Sequence, residues 1–342
     1  MRFSSAARRA SGTSADRMDG ATRVVALVTG GNSGIGFECA RDLARSGWQV
    51  LIASRDRRAS AAAVRRIAAE SGDDSAAELG LDLGSTRSIR AFVRELAARD
   101  VPLRALVCNA GLQLGRGPLR SADGFELTFA VNHLGHFLLV NLLLARLLAH
   151  APARLVVVAS GVHDPELRTG MPKPRVTTID ALAAADAADF DGRLAYVHSK
   201  LCNLWFTYEL ERRLAAAFPP NGAPRITVNA FDPGLVPGSG LARDYPAPLR
   251  FAWNRVLPVA ARLLSPVLPT INPAWKSGRA LARLVADPAL GGVSGKYFPS
   301  HTRWHEAPSS DASYDAERAR ALWEASVRMS GLEPGESVFA TS

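Results

Sequence analysis

Thr29-Gly30-Gly31-Asn32-Ser33-Gly34-Ile35-Gly36 decides the fold. The octapeptide follows a β-branched apolar run at 24–28, which reads as a buried strand, and opens helical periodicity over 35–45, closed by Gly47. Glycines between a strand and a helix let the chain turn tightly and let backbone approach a pyrophosphate. The helix start adds free N–H groups and the positive end of its dipole. Gly30, Asn32, Ser33, Gly34, Ile35 and Gly36 are therefore candidate cofactor contacts. The spacing G-x-x-x-G-x-G is not the G-x-G-x-x-G fingerprint, and a purely structural βα turn would also produce it.

Outward from this turn the rhythm repeats. Strand patterns at 49–53, 77–81, 105–107, 154–159 and 226–231 alternate with helical patterns at 59–71, 89–99, 126–149 and 196–217. Such alternation means βαβ units, and near-continuous apolar strands mean a sheet covered on both faces. The expected fold is α/β: a doubly wound parallel sheet with helices on both faces, as one domain over 23–330. An extension (1–22) rich in Arg, Ser, Ala and Thr precedes it and a tail (331–342) follows. The extension reads as disordered, loosely resembles a transit peptide and contains Met18, a second candidate start. Residues 165–192 read as a loop with one short helix. Residues 235–274 mix prolines with Leu, Val, Phe and Trp253, which suits a lid over an apolar substrate or a peripheral contact with lipid.

Composition narrows the classes. The net charge of +9 comes almost entirely from arginines, but these are dispersed along helical segments with no run of five, so no nucleic-acid partner is expected. Cys39, Cys108 and Cys202 are far apart and lack metal or disulfide spacing, so buried thiols in a reducing, cytoplasmic setting are expected. No stretch reaches 18 consecutive apolar residues, and a transmembrane helix is not expected.

The second strand ends in Ser54-Arg55, where NAD-binding folds usually present an acid to the ribose. A hydroxyl and a guanidinium suit a 2′-phosphate, which favours NADP(H) over NAD(H), although Asp56 follows directly. Tyr196 and Lys200 lie four apart on one helix face, and an ammonium beside a phenol lowers the phenol's pKa toward working pH. That makes an acid for carbonyl reduction or a base for alcohol oxidation. Ser160 and Asn109-Ala110-Gly111 end adjacent strands at the carboxyl edge of the sheet, where open α/β folds bind ligands. Asn132 stands among apolar helix residues and needs partners, which a water relay to Lys200 would supply.

In this order, Thr29-Gly30…Gly34…Gly36, Asp82-Leu83, Asn109-Ala110-Gly111, Asn132, Ser160, Tyr196…Lys200 and Pro233-Gly234 resemble the short-chain dehydrogenase/reductase family over about residues 22–330. The resemblance implies a Rossmann-like fold and a catalytic set of Asn132, Ser160, Tyr196 and Lys200. It further implies that Lys200 and Tyr196 meet the nicotinamide ribose, that Asp82 and Leu83 meet the adenine, and that Pro233, Gly234 and Val236 run along the nicotinamide. Gly31–Gly36, Asp123–Glu126, Val131–Phe137, Ser199–Asn203 and Gly295–Phe298 are similar to the retinol dehydrogenase and protochlorophyllide reductase branch. The photoenzymes are expected to carry cysteine directly after Pro-Gly; Leu235 stands there, which argues against photochemistry. The expected activity is hydride transfer between NADP(H) and the carbonyl or alcohol of a small hydrophobic substrate, with Tyr196 as acid/base. Two alternatives are an NADP-binding regulator without catalysis and an NAD-dependent sugar-nucleotide epimerase. His133 and His136 have metal-like spacing but no third ligand, so packing is expected, while His198 should face away from Tyr196. The oligomeric state is left open.

Overall fold

The computed structural model describes residues 23–339, apart from 73, 116, 176, 185–189, 220–225 and 241–245. The extension 1–22 and its second start lie outside the described residues. Seven parallel strands form one sheet in the order β3-β2-β1-β4-β5-β6-β7. They are β1 (Val25–Thr29), β2 (Gln49–Ser54), β3 (Ala76–Gly80), β4 (Leu103–Cys108), β5 (Ala153–Val158), β6 (Ile226–Asp232) and β7 (Tyr297–Pro299). The chain winds outward twice from β1, so the strand order reverses between β1 and β4. A crevice for ligands opens at that point.

The crossovers are helices α1 (Gly34–Arg45), α2 (Arg57–Ser71), α3 (Thr86–Ala97), α4 (Leu127–Phe129) continuing into α5 (Gly135–Ala149), α6 (Ile179–Ala183) and α7 (Gly192–Ala217). After β6 come α8 (Ala247–Phe251), α9 (Leu257–Leu264), α10 (Ala274–Ala286) and, last, α11 (Ala316–Ser330). Alternation along each strand divides the core in two. Val25 and Leu27 of β1 pack with α3, α5, α7 and α11 residues such as Phe92, Phe137, Phe206 and Trp323. Ala26 and Val28 face the other way, toward Phe37, Leu43, Ile67 and Leu281 of α1, α2 and α10. The doubly wound single domain expected from the sequence is thus present.

Two features lay beyond the sequence pattern. The expected helix 126–149 contains one wider turn, Ala130–Leu134, that carries Asn132. The whole segment Leu127–Ala149 is apolar and long enough to cross a membrane, yet 83% of its most apolar window is buried inside the fold. It is the central core helix, sheltered by the sheet and by α11. The stretch after α11 also returns to the core, since Leu332 and Phe339 are buried there.

Candidate active site

A cleft of about 1050 Å3 runs across the carboxyl ends of the strands, from the β1–α1 turn to the β6–α8 segment. Every sequence-derived site residue except Asn132 lines it directly: Gly30, Asn32, Ser33, Gly34, Ile35, Gly36, Arg55, Asp82, Leu83, Asn109, Ala110, Gly111, Ser160, Tyr196, Lys200, Pro233, Gly234 and Val236.

The turn after β1 is built by conformation and close approach. Gly30 and Gly34 have φ of 65° and 56°, the left-handed region that favours glycine. A Cβ on Gly36 would come within 2.5 Å of the Gly30 carbonyl and would strike the Asn109 amide, so only hydrogen fits there. A Cβ on Gly34, by contrast, would meet nothing, because open cleft lies above it. Ser33 precedes α1 without a side-chain cap, which leaves first-turn N–H groups free toward that space. Thr29 stitches the floor: its hydroxyl accepts the N–H groups of Asn109 (2.9 Å) and Ala110 (3.0 Å) and contacts His136 Nε2 at 2.9 Å. Asn109 is a brace as well as a lining residue, donating to the Thr29 carbonyl at 2.9 Å.

At the end of β2, Arg55 and Asp56 both line the cleft and are exposed. Asp56 caps α2, its carboxylate accepting the Ala59 N–H at 3.0 Å. The Ser54 hydroxyl is held by Ser60 at 2.6 Å. Arg55 remains exposed on the cleft wall.

The far end gathers the polar groups. Tyr196 and Lys200 are buried on α7, with the Lys200 ammonium 5.6 Å from the Tyr196 ring centre. The Ser160 hydroxyl, following Ala159 at the end of β5, lines the same part of the cleft as the Tyr196 phenol and acts on its pKa. Lys200 Nζ donates to the Val158 carbonyl at 2.9 Å, a carbonyl that Asn203 also reaches at 3.1 Å. Burial lowers the Lys200 pKa to about 8, against an opposing pull from Asp232. The expected lowering of the Tyr196 phenol is not found. Burial pushes it above its ordinary value, Asp232 adds to the rise, and only the Ser160 hydroxyl acts the other way.

Asn132 also corrects the sequence reading. Its amide oxygen accepts the Leu112 N–H (2.8 Å), and its NH2 donates to the Leu112 carbonyl (2.9 Å) and the Ser199 hydroxyl (2.9 Å). The chain itself supplies partners for the side-chain amide. Asn132 thereby ties the β4 exit to α7, just beneath the cleft floor at Gly111.

Asp232 escaped the sequence reading, although its place at the end of β6, on the same edge as Ser160, was the available signal. It is buried, accepts the Gly234 N–H at 2.9 Å and takes the Tyr297 hydroxyl at 3.2 Å. His133 packs between Phe129, Phe137 and Phe206 and reaches Ser326 at 2.8 Å, and burial drives its pKa down to about 3. His198 turns from the cleft, its Nε2 accepting the Arg175 N–H at 3.0 Å. The three thiols are buried, which raises their pKa values and leaves them unreactive.

Known proteins match this chain over most of its described length. The profile of the family "short chain dehydrogenase" matches residues 24–168. Retinol dehydrogenase 12 of Bos taurus is 35% identical over 308 residues, covering 90% of this chain and 86% of its own length. Protochlorophyllide reductase B of Hordeum vulgare is 33% identical over 330 residues, covering 90% and 78%. Among solved structures, the RhlG/NADP active-site complex of Pseudomonas aeruginosa superposes with a TM-score of 0.58 at 25% identity, covering 82% of this chain and 94% of that one. The chain belongs to the short-chain dehydrogenase family.

Proposed function

We propose that the protein is an NADP(H)-dependent oxidoreductase that reduces the carbonyl of a small hydrophobic compound, or oxidises the matching alcohol, with Tyr196 as the proton donor and acceptor. The observation that carries this reading is the gathering of Ser160, Tyr196 and Lys200 in the cleft that the glycine turn closes at its other end, with the Lys200 ammonium 5.6 Å from the Tyr196 ring centre. The cleft fits a dinucleotide: the space above Gly34 and the free N–H groups of α1 suit a pyrophosphate, and Arg55 suits a 2′-phosphate once Asp56 is occupied as a cap. The neighbour solved as an NADP complex supports the same choice. When bound, this cofactor supplies or accepts the hydride.

The chain's own residues handle the oxygen and its proton. Because burial and Asp232 hold the Tyr196 phenol protonated, it enters a carbonyl reduction as the acid. Ser160 is placed to hydrogen-bond the same oxygen and orient it. Lys200, a buried ammonium with a pKa near 8, stabilises the phenolate left after proton transfer and is a source of its replacement proton. Asn132 acts through position, fixing the Gly111–Leu112 backbone against α7. Leu167, Met171, Trp253 and Ile271 line the remaining wall and suit an apolar substrate. Leu235 follows the Pro-Gly pair at the cleft rim, so no thiol serves there.

The test is NADPH oxidation by the purified protein with apolar aldehydes and ketones, alongside NADH. Tyr196→Phe is expected to lower kcat by ~10²–10⁴ with NADPH binding retained. Arg55→Gln should weaken NADPH binding by about tenfold or more and leave NADH unchanged. Binding of neither cofactor would sink the reading, and tight NADPH binding with no turnover on any carbonyl would favour the non-catalytic regulator.

A further inference from the structure

The sequence from Pro246 to Ala286 contains Arg250, Arg255, Arg262, Lys276, Arg279 and Arg283, and not one aspartate or glutamate. Its first half forms α8, a wider turn over Ala252–Val256, and α9, laid on the outside of the cleft. Ala261 and Ser265, four apart, are the positions it buries against the body. Val256, Val259, Leu263 and Val267 recur at spacings of three and four on another stripe and are 53%, 56%, 76% and 77% exposed. Leu249 and Phe251 extend the apolar surface toward α8 at 57% and 63%. Helices of soluble proteins normally turn such a stripe inward; this one turns it out.

The segment is nonetheless anchored rather than loose. Trp253 Nε1 donates to the Ser239 carbonyl at 3.0 Å. Leu235 N–H donates to the Thr270 carbonyl at 2.7 Å, and the Leu235 carbonyl accepts the Asn272 N–H at 2.9 Å. Among the described residues, neither Arg255 nor Arg262 has a carboxylate within ion-pair distance, and both are exposed beside the apolar stripe. An apolar ridge flanked by unpaired guanidinium groups and free of acids complements an anionic lipid surface, with alkyl side chains entering the headgroup boundary and arginines meeting phosphates. A second copy of the chain would bring the same positive field against itself.

We infer that the 247–268 ridge docks on an anionic bilayer, so that the segment supplying Trp253 and Ile271 to the cleft wall sits at the lipid boundary. Entry of an apolar substrate from the bilayer is a consequence that rests on the oxidoreductase reading; the docking itself does not.

The experiment is sedimentation of the full-length protein with vesicles of phosphatidylcholine alone or mixed with phosphatidylglycerol. Expected is a preference of at least about tenfold for the anionic vesicles that collapses at high salt. Leu263→Asp/Val267→Asp should lower partitioning about tenfold or more while the melting curve stays that of the parent, since neither side chain is packed. Arg255→Gln/Arg262→Gln should reduce the preference for phosphatidylglycerol. No partitioning, or partitioning that the Leu263/Val267 variant leaves intact, overturns the proposal. So does a dimer in solution that the same variant dissociates with no vesicle binding. None of these readouts needs turnover, so failure here is separable from failure of the proposed activity.

Discussion

Lys200 is a buried cation at the cleft wall, and burial lowers its pKa from 10.5 to about 8. A lysine with a depressed folded pKa opposes folding while it is charged. Between about pH 8 and 10.5 the unfolded chain binds more protons at this position, so its contribution makes stability rise with pH across that window; below it the full cost persists. Lys200→Met should therefore be more stable than the parent at pH 7, with the difference shrinking as pH approaches 10.5. Urea melts of the cofactor-free proteins at several pH values measure this, and a difference that grows with pH would refute the assignment. At this scale the sequence was legible wherever a residue's place on an edge or helix face decides that it reaches the cleft, as for Ser160, Tyr196 and Lys200. It was not legible where role depends on partners far along the chain. Asn132's need for partners could be read, but Leu112 and Ser199 as those partners could not. The carboxylate of Asp232 near Tyr196, which adds to the rise that burial imposes on the phenol's pKa, follows only from β6 lying beside β5.

Elements carry the next level of specification. The β1–α1 turn works because two segments of backbone nearly touch, with Gly36 against the Gly30 carbonyl. Gly36→Ala should force the turn open and weaken dinucleotide binding severely. The lower half of the fold should stay intact, so calorimetric titration with NADPH should detect a loss larger than any fall in Tm accounts for. An unchanged affinity would mean that the turn is softer than its geometry implies. The strands from β1 to β6 could be read within two residues or so, because apolar runs between glycines and helical periods are local signals. β7, three residues long, offers too short a pattern, and α10 and α11 follow irregular connections that hide their periodicity. The wider turn Ala130–Leu134 is invisible to periodicity, since a single added residue only blurs the apolar face it interrupts.

At the scale of the whole molecule, the C-terminal helix closes the core that the N-terminal half begins. Trp323 of α11 stacks edge-on to Phe137 with ring centres 4.9 Å apart, lies 6.0 Å from Phe206 and 5.6 Å from Phe339, and carries Arg213 over its face at 4.5 Å. Trp323→Ala should cost about 3–5 kcal/mol and shift one cooperative urea transition rather than split it. Two separable transitions would show that the sheet stands without α11. The same closure has a consequence for synthesis. Leu127–Ala149, the most apolar helix of the chain, leaves the ribosome roughly 170 residues before α11 arrives to cover it, an interval of about 10–30 s at ordinary elongation rates. During that interval the nascent chain displays a segment with the length and hydropathy of a membrane span. The exposure ends only when α11 is made, so slower elongation between the two helices lengthens the time during which this apolar segment stays uncovered.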